Sequence, residues 1–231
     1  MAFVVGMAAS FAVSAQGLDA SCGPLQNAFG PFDYRTERGN NLYLVEKAHF
    51  TPVVESLIKG NAGYLGGDID YTLRAFPNHH RALIAAMRYG QKTKLPVPPN
   101  MKYSVECYFA RALQFRPDDT TVRMLYAGFL YRSSRADEAG KQLERVAFDA
   151  KDNGFTQYNI GLVYLEAQQY DKALAQAHRA LALGFARPDL KDRLSAVGRW
   201  REPAVLTPAE GASSSPASLP GDAASSAGSG R

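Results

Sequence analysis

The chain of 231 residues contains no run of five or more basic residues, and its net charge of +4 is spread thinly along its length. A nucleic-acid partner calls for a basic stripe or a recognisable motif, and neither is present. The slight basic excess reads as a solvated surface. No stretch reaches the roughly 20 apolar residues that a membrane-spanning helix needs. Gly63, Gly66 and Gly67 form no phosphate-binding loop, because the Lys and Ser/Thr of that motif are missing beside them. No Ser/His/Asp or Cys/His signature stands out either. The sequence therefore leads us to expect no enzyme, no cofactor and no small-molecule substrate. Cysteine is scarce, with only Cys22 and Cys107. The pair fits either one disulfide, if the chain is exported, or two unrelated thiols.

What is present has a clear order. Residues 1–15 are a continuous apolar and small-residue run, and Val13-Ser14-Ala15 fits the small-residue rule for signal cleavage. No Lys or Arg precedes the run, so a signal peptide and a buried N-terminal helix both stay open, and with them a periplasmic or secreted location and a cytoplasmic one. Residues 16–50 read as an irregular arm, with Phe29, Phe32 and Tyr34 as aromatic anchors among Gly and Pro turns. Residues 51–76 read as a degenerate helical hairpin. It starts at Thr51-Pro52, carries Val53, Val54, Leu57 and Ile58 on one face, and has a second helix from Asp68 to Ala75. Residues 187–201 predict one amphipathic helix with Leu190, Leu194 and Val197 in a stripe. Residues 202–231 are dominated by Ala, Ser, Gly and Pro, a disordered composition.

The middle of the chain carries the informative spacing. Residues 154–187 contain two apolar-periodic segments around a polar turn at 166–169, with Gly161 and Ala173 as the small residues where two helices approach. Ala112, Val146 and Ala180 recur at a spacing of 34, as do Ala139 with Ala173 and Ala127 with Gly161. Pro77 and Pro117 lie 40 apart, and the proline-rich loop near residues 95–100 absorbs the extra six residues. Residues 77–186 thus hold three repeats.

Tyr158, Ile160, Gly161, Tyr164, Tyr170, Ala173 and Ala180 fall on positions typical of the tetratricopeptide repeat, which this chain resembles over roughly residues 78–184. Some words of the N-terminal part also resemble exported repeat proteins of Gram-negative bacteria. The resemblance implies an all-α fold: a right-handed superhelical stack of helical hairpins, with the irregular arm ahead of it and the last helix capping its open end. It further implies a concave groove lined by the first helices of the hairpins and suited to a peptide or a helix of a protein partner. The groove-facing candidates are Arg81, Ile84 and Arg88 in the first copy, Met124, Tyr131 and Arg132 in the second, and Phe155, Tyr158, Asn159, Leu162 and Leu165 in the third. Only Asn159 matches the carboxylate clamp found in some relatives, so that clamp is not expected. A competing candidate is the cluster His49, Asp68, Asp70, His79 and His80, which reads either as capping and hydrogen bonding or as a metal-dependent or hydrolytic site. His79 and His80 are adjacent and diverge on a helix, which favours the former.

Overall fold

A computed structural model describes residues 22–203. The signal-like segment 1–15 and most of the expected disordered tail (204–231) lie outside the described residues. The described residues form ten helices and no strand: α1 (Asn40–His49), α2 (Pro52–Glu55), α3 (Leu65–Ala75), α4 (His80–Thr93), α5 (Val105–Phe115), α6 (Thr120–Arg132), α7 (Ala136–Asp149), α8 (Gly154–Glu166), α9 (Tyr170–Ala182) and α10 (Pro188–Ala196). The fold is all-α. None of these helices is long and apolar enough to cross a membrane. The chain divides after Trp200; of the second unit, residues 201–203 are described and carry no regular structure.

Three helices start the same way. A turn before each is closed by a backbone hydrogen bond: His79 N–H to Phe76 O (3.0 Å), Asp119 N–H to Arg116 O (3.1 Å) and Asn153 N–H to Ala150 O (3.0 Å). The last residue of each turn then caps the helix, with His79, Asp119 and Asn153 accepting from the amides of Ala82, Val122 and Thr156. Each cap satisfies one of the four amides that a helix start leaves unpaired. The ends of α4, α6 and α8 also match. Lys94, Ser134 and Gln168 each take a left-handed conformation, with φ of 56°, 59° and 59°. Such a residue stops a helix and turns the chain back.

Packing follows the chain. Helix α4 packs on α5 and α6, α6 on α7 and α8, and α8 on α9 and α10, while α5, α7 and α9 each pack on the helix that follows. Ala139 and Ala173 are fully buried at the close approaches within α6–α7 and α8–α9. Gly161 is a tighter point: a Cβ there would lie 2.6 Å from Leu190 Cδ2, so its smallness serves α10 as well as α9. Leu190 and Leu194 of α10 are buried in the core that they share with residues of α6 to α9. Tyr126 and Phe129 of α6 pack against both the N-terminal and the C-terminal core clusters and join them.

The N-terminal part differs from its expected outline. The arm is not irregular throughout, because ten of its residues, Asn40–His49, form α1. Only Leu42 and Val45 are buried on that helix, so its pattern is faint in the sequence, and it is held by packing on Phe76 and Ala75. Residues 51–58 form just the single turn α2, and α3 packs on α1 and α4 more than on α2. Helix α3 begins at Leu65, three residues earlier than expected, and takes in Gly66 and Gly67. Gly66 is required there, since a Cβ would fall 1.9 Å from the Pro99 carbonyl oxygen of the proline loop. Helix α5 begins at Val105, where the Ser104 hydroxyl caps it through the Cys107 amide.

The arm itself is pinned at several points. Phe32 N–H bonds Ala75 O at 2.9 Å, and Phe29, Phe32 and Tyr34 lie against Phe76 and α1. At its start, Cys22 and Cys107 form a disulfide with a Cα–Cα distance of 5.1 Å, closing 85 residues of sequence. Removing it with Cys22→Ser is expected to cost about 2–5 kcal/mol of unfolding free energy. Urea denaturation of oxidised wild type against the variant measures this, and an unchanged midpoint would assign the arm no part in stability.

Candidate functional site

The histidine and carboxylate residues do not converge. His49 Nδ1 donates to Asp68 Oδ1 at 2.8 Å, and Asp68 also accepts from the amides of Asn61 and Ala62, bracing the loop ahead of α3. Asp70 accepts from the Tyr108 hydroxyl and from Arg74, which joins α3 to α5. His80 Nε2 donates to Asp119 at 2.9 Å. His79 Nδ1 accepts from the Ala82 amide, which fixes the proton on Nε2, and that proton points at Glu46 Oε1 3.2 Å away. The five residues therefore serve four separate joints, with His49 and Asp68 sharing one. Among the described residues no group of three or more His, Cys, Asp or Glu side chains is placed to hold a metal ion.

Several polar residues that the sequence did not single out carry more of the structure than these. Asn78 is fully buried; its amide donates to Asp33 Oδ1 at 2.7 Å and to Asp119 Oδ2 at 2.9 Å and accepts from Tyr34 N–H at 3.0 Å. Burial opposes ionisation of Asp33, but hydrogen bonds from Arg35, Asn78 and Arg116 overcome it and hold its carboxyl far below the usual range. Arg111 is a fully buried cation to which no carboxylate among the described residues is bonded. Its Nη1 instead donates to the carbonyls of Cys22 (3.0 Å), Gly23 (3.1 Å) and Pro24 (2.7 Å), and its guanidinium lies 4.7 Å from the Tyr103 ring centre. Burial lowers its pKa from the ordinary arginine value. The only signal in the sequence is its place one turn after Cys107, which is too little to find it.

The groove candidates divide into three groups. Arg81 is engaged by Glu55 and Glu46 and lies over the Phe50 ring, so it belongs to the joint between α1, α2 and α4. Tyr158 is buried: its hydroxyl donates to Asp189 at 3.1 Å, and its ring tilts onto Phe185. Phe155 keeps over half its surface exposed but meets the same Phe185 edge-on. Helix α10 and Phe185 thus close that stretch of the expected groove face. Ile84, Met124, Asn159 and Leu162 are half-buried, and Arg88 is exposed.

The remaining three, Tyr131, Arg132 and Leu165, meet in one trough. A cleft of about 210 Å³ between α6 and α8 is lined by Gly128, Tyr131, Arg132, Val163 and residues 166–168. It shares Arg132, Glu166 and Gln168 with a wider depression of about 630 Å³ that adds Leu165, Tyr170, Arg193, Ala196 and Val197. Gly128 makes room, since a Cβ there would stand 3.2 Å from Arg132 Nη2. Arg132 rests on the Met87 thioether at 2.9 Å, a weak acceptor, and among the described residues neither it nor Arg193 is paired with a carboxylate. Tyr131 stands edge-on to Tyr164 with ring centres 6.3 Å apart, and burial pushes the Tyr164 hydroxyl up to about 12. The trough offers an aromatic wall, an apolar floor and two guanidinium groups that no carboxylate among the described residues pairs.

The His79 joint has a pH signature. Burial is the largest influence and holds its imidazole below the ordinary value, so the folded chain refuses a proton that the unfolded chain accepts below about pH 6.5. Its contribution to stability is complete above that pH and declines as the pH falls towards the depressed folded value. The melting temperature is expected to drop between pH 7.5 and 5.5. The variant His79→Asn, which keeps a capping oxygen, is expected to flatten that drop; an equal slope in both proteins would place the titration elsewhere.

Comparison with models of known protein families, with curated proteins and with solved structures finds no match to this chain.

Proposed function

We propose that the chain is an exported scaffold of the tetratricopeptide type, which holds a segment of a protein partner against the trough between α6, α8 and α10. The repeat reading rests on the 34-residue recurrence together with the matching turns and caps at His79, Asp119 and Asn153 and the matching left-handed stops at Lys94, Ser134 and Gln168. In such a family the hairpins are scaffolding, and binding uses a face built from several copies. The observation that carries the binding reading is the trough, because it is shared by three alternate helices and leaves Arg132 and Arg193 without ionic partners among the described residues. Chemistry is not part of the proposal: the titratable groups nearest to a reactive arrangement are all committed to structural joints.

A photo-crosslinking residue in place of Gln168 or Val197 is expected to capture a partner in the native host, whereas one in place of the exposed Lys141 on α7 is not. Equal labelling from both faces, or none from either, would sink the trough as the binding surface. Export is supported by the Cys22–Cys107 disulfide, since such bonds persist in oxidising compartments and are rare in reducing ones. The mature protein is therefore expected to begin at or near Gln16, as read by intact-mass analysis. A cellular protein that retains Met1 would remove the export reading.

A further inference from the structure

The strongest unexplained feature is Arg111. A guanidinium that is fully buried and bonded to no carboxylate is costly, and here the compensation comes from three consecutive backbone carbonyls at the start of the described arm. Those carbonyls belong to Cys22, Gly23 and Pro24. The first of them belongs to the residue whose sulfur bonds Cys107, and Cys107 sits one helical turn before Arg111 on α5. Gly23 permits the approach: it has φ of 63°, and a Cβ there would come within 2.6 Å of the Tyr103 hydroxyl. Tyr103 in turn is the ring beneath the Arg111 guanidinium. Cation, ring, glycine and cysteine form one cradle.

We propose that Arg111 is the positioning residue for the disulfide: it seats the first residues of the arm on α5 before oxidation and so presents the Cys22 sulfur to Cys107. Seating and bond formation stabilise each other by necessity, because any interaction that favours the seated arm raises the effective concentration of one thiol at the other. With glutathione disulfide as oxidant, one cysteine thiolate attacks it, forming a mixed disulfide and releasing one glutathione thiolate. The second cysteine, as thiolate, then attacks the protein sulfur of that mixed disulfide and expels the second glutathione. Two protein thiols lose two protons and two electrons, and one glutathione disulfide becomes two glutathiones. Arg111 acts on the second step alone, since only that step needs the arm in place.

The test equilibrates the reduced full chain with mixtures of glutathione and its disulfide and follows the species by mass after acid quenching. Arg111→Met keeps a long stem without the charge. It is expected to lower the effective concentration for closure by about tenfold or more, the value of a single hydrogen bond to a charged group, and to accumulate the mixed disulfide while its first formation keeps the wild-type rate. Arg111→Lys, which retains three donors on one nitrogen, is expected to recover most of the closure. Wild-type closure in Arg111→Met, or an Arg111→Lys protein as defective as Arg111→Met, overturns the proposal. A second measurement stands apart from these variants. In Cys107→Ser the Cys22 thiol has no bond to hold it, yet a seated arm keeps it shielded. Its maleimide labelling is expected to be at least about tenfold slower in the folded protein than in urea, because an opening to free solvent must precede reaction. Equal rates would show that the arm does not seat without the bond, and would overturn the proposal even if Arg111→Met failed to fold. Neither measurement involves the trough, so failure here leaves the proposed scaffold role standing.

Discussion

The N-terminal half of the structure depends on one buried amide. Asn78 holds the arm through Asp33 and Tyr34, and holds the start of α6 through Asp119. Asp119 is itself the cap of α6 and the partner of His80, while Asp33 gathers Arg35 and Arg116. A primary amide suits this position because it can donate to two carboxylates and accept from one amide at once, leaving little of its polarity unsatisfied. An isolated charge in the same place would lack the mixed donors and acceptors. The two buried carboxylates are tolerable only because each is enclosed by donors. Loss of any member therefore leaves an expensive orphan, which makes the joint cooperative rather than a sum of bonds.

The two halves of the molecule are built by different means. From α6 onward the helices meet through Ala127, Ala139, Gly161, Ala173 and Ala180, and the core around them is apolar. Before α6 the elements are uneven, from the 4 residues of α2 to the 14 of α4, and polar joints do much of the fixing. Glu46 and Glu55 with Arg81 and His79 bind α1 and α2 to α4, and Asp70 with Tyr108 and Arg74 binds α3 to α5. Buried ion pairs and hydrogen bonds specify geometry well but tolerate substitution poorly, whereas small-residue contacts tolerate exchange of similar volumes.

That difference explains what was legible in the sequence. Helices α6 to α9 could be read from it because their small residues, apolar period and capping turns are all local and recur at a fixed spacing. Helix α1 was not legible, since two buried residues in ten give no period, and its partners on α3 lie far along the chain. For the histidines, capping and hydrogen bonding were the favoured reading, but their partners were not legible, because the carboxylates that bind them stand 19 to 39 residues away. In the candidate site, the meeting of Tyr131, Arg132 and Leu165 follows from adjacent helices, whereas the burial of Tyr158 depends on Phe185 and on where α10 lands. The cradle around Arg111 spans nearly ninety residues of sequence, and the place of Arg111 one turn after Cys107 was too slight a trace to reveal it.

The long separation between Cys22 and Cys107 also sets an order of events during synthesis. A chain emerges N-terminus first, and its local hairpins assemble before distant contacts are rewarded. Cys22 therefore leaves the ribosome well before any part of α5 exists to receive it. The arm also has little to lie on until Phe76, Asn78 and Asp119 have followed it out. The earliest of the described residues to be made is thus among the last to reach its place, and its thiol stays available to any passing oxidant through most of that interval.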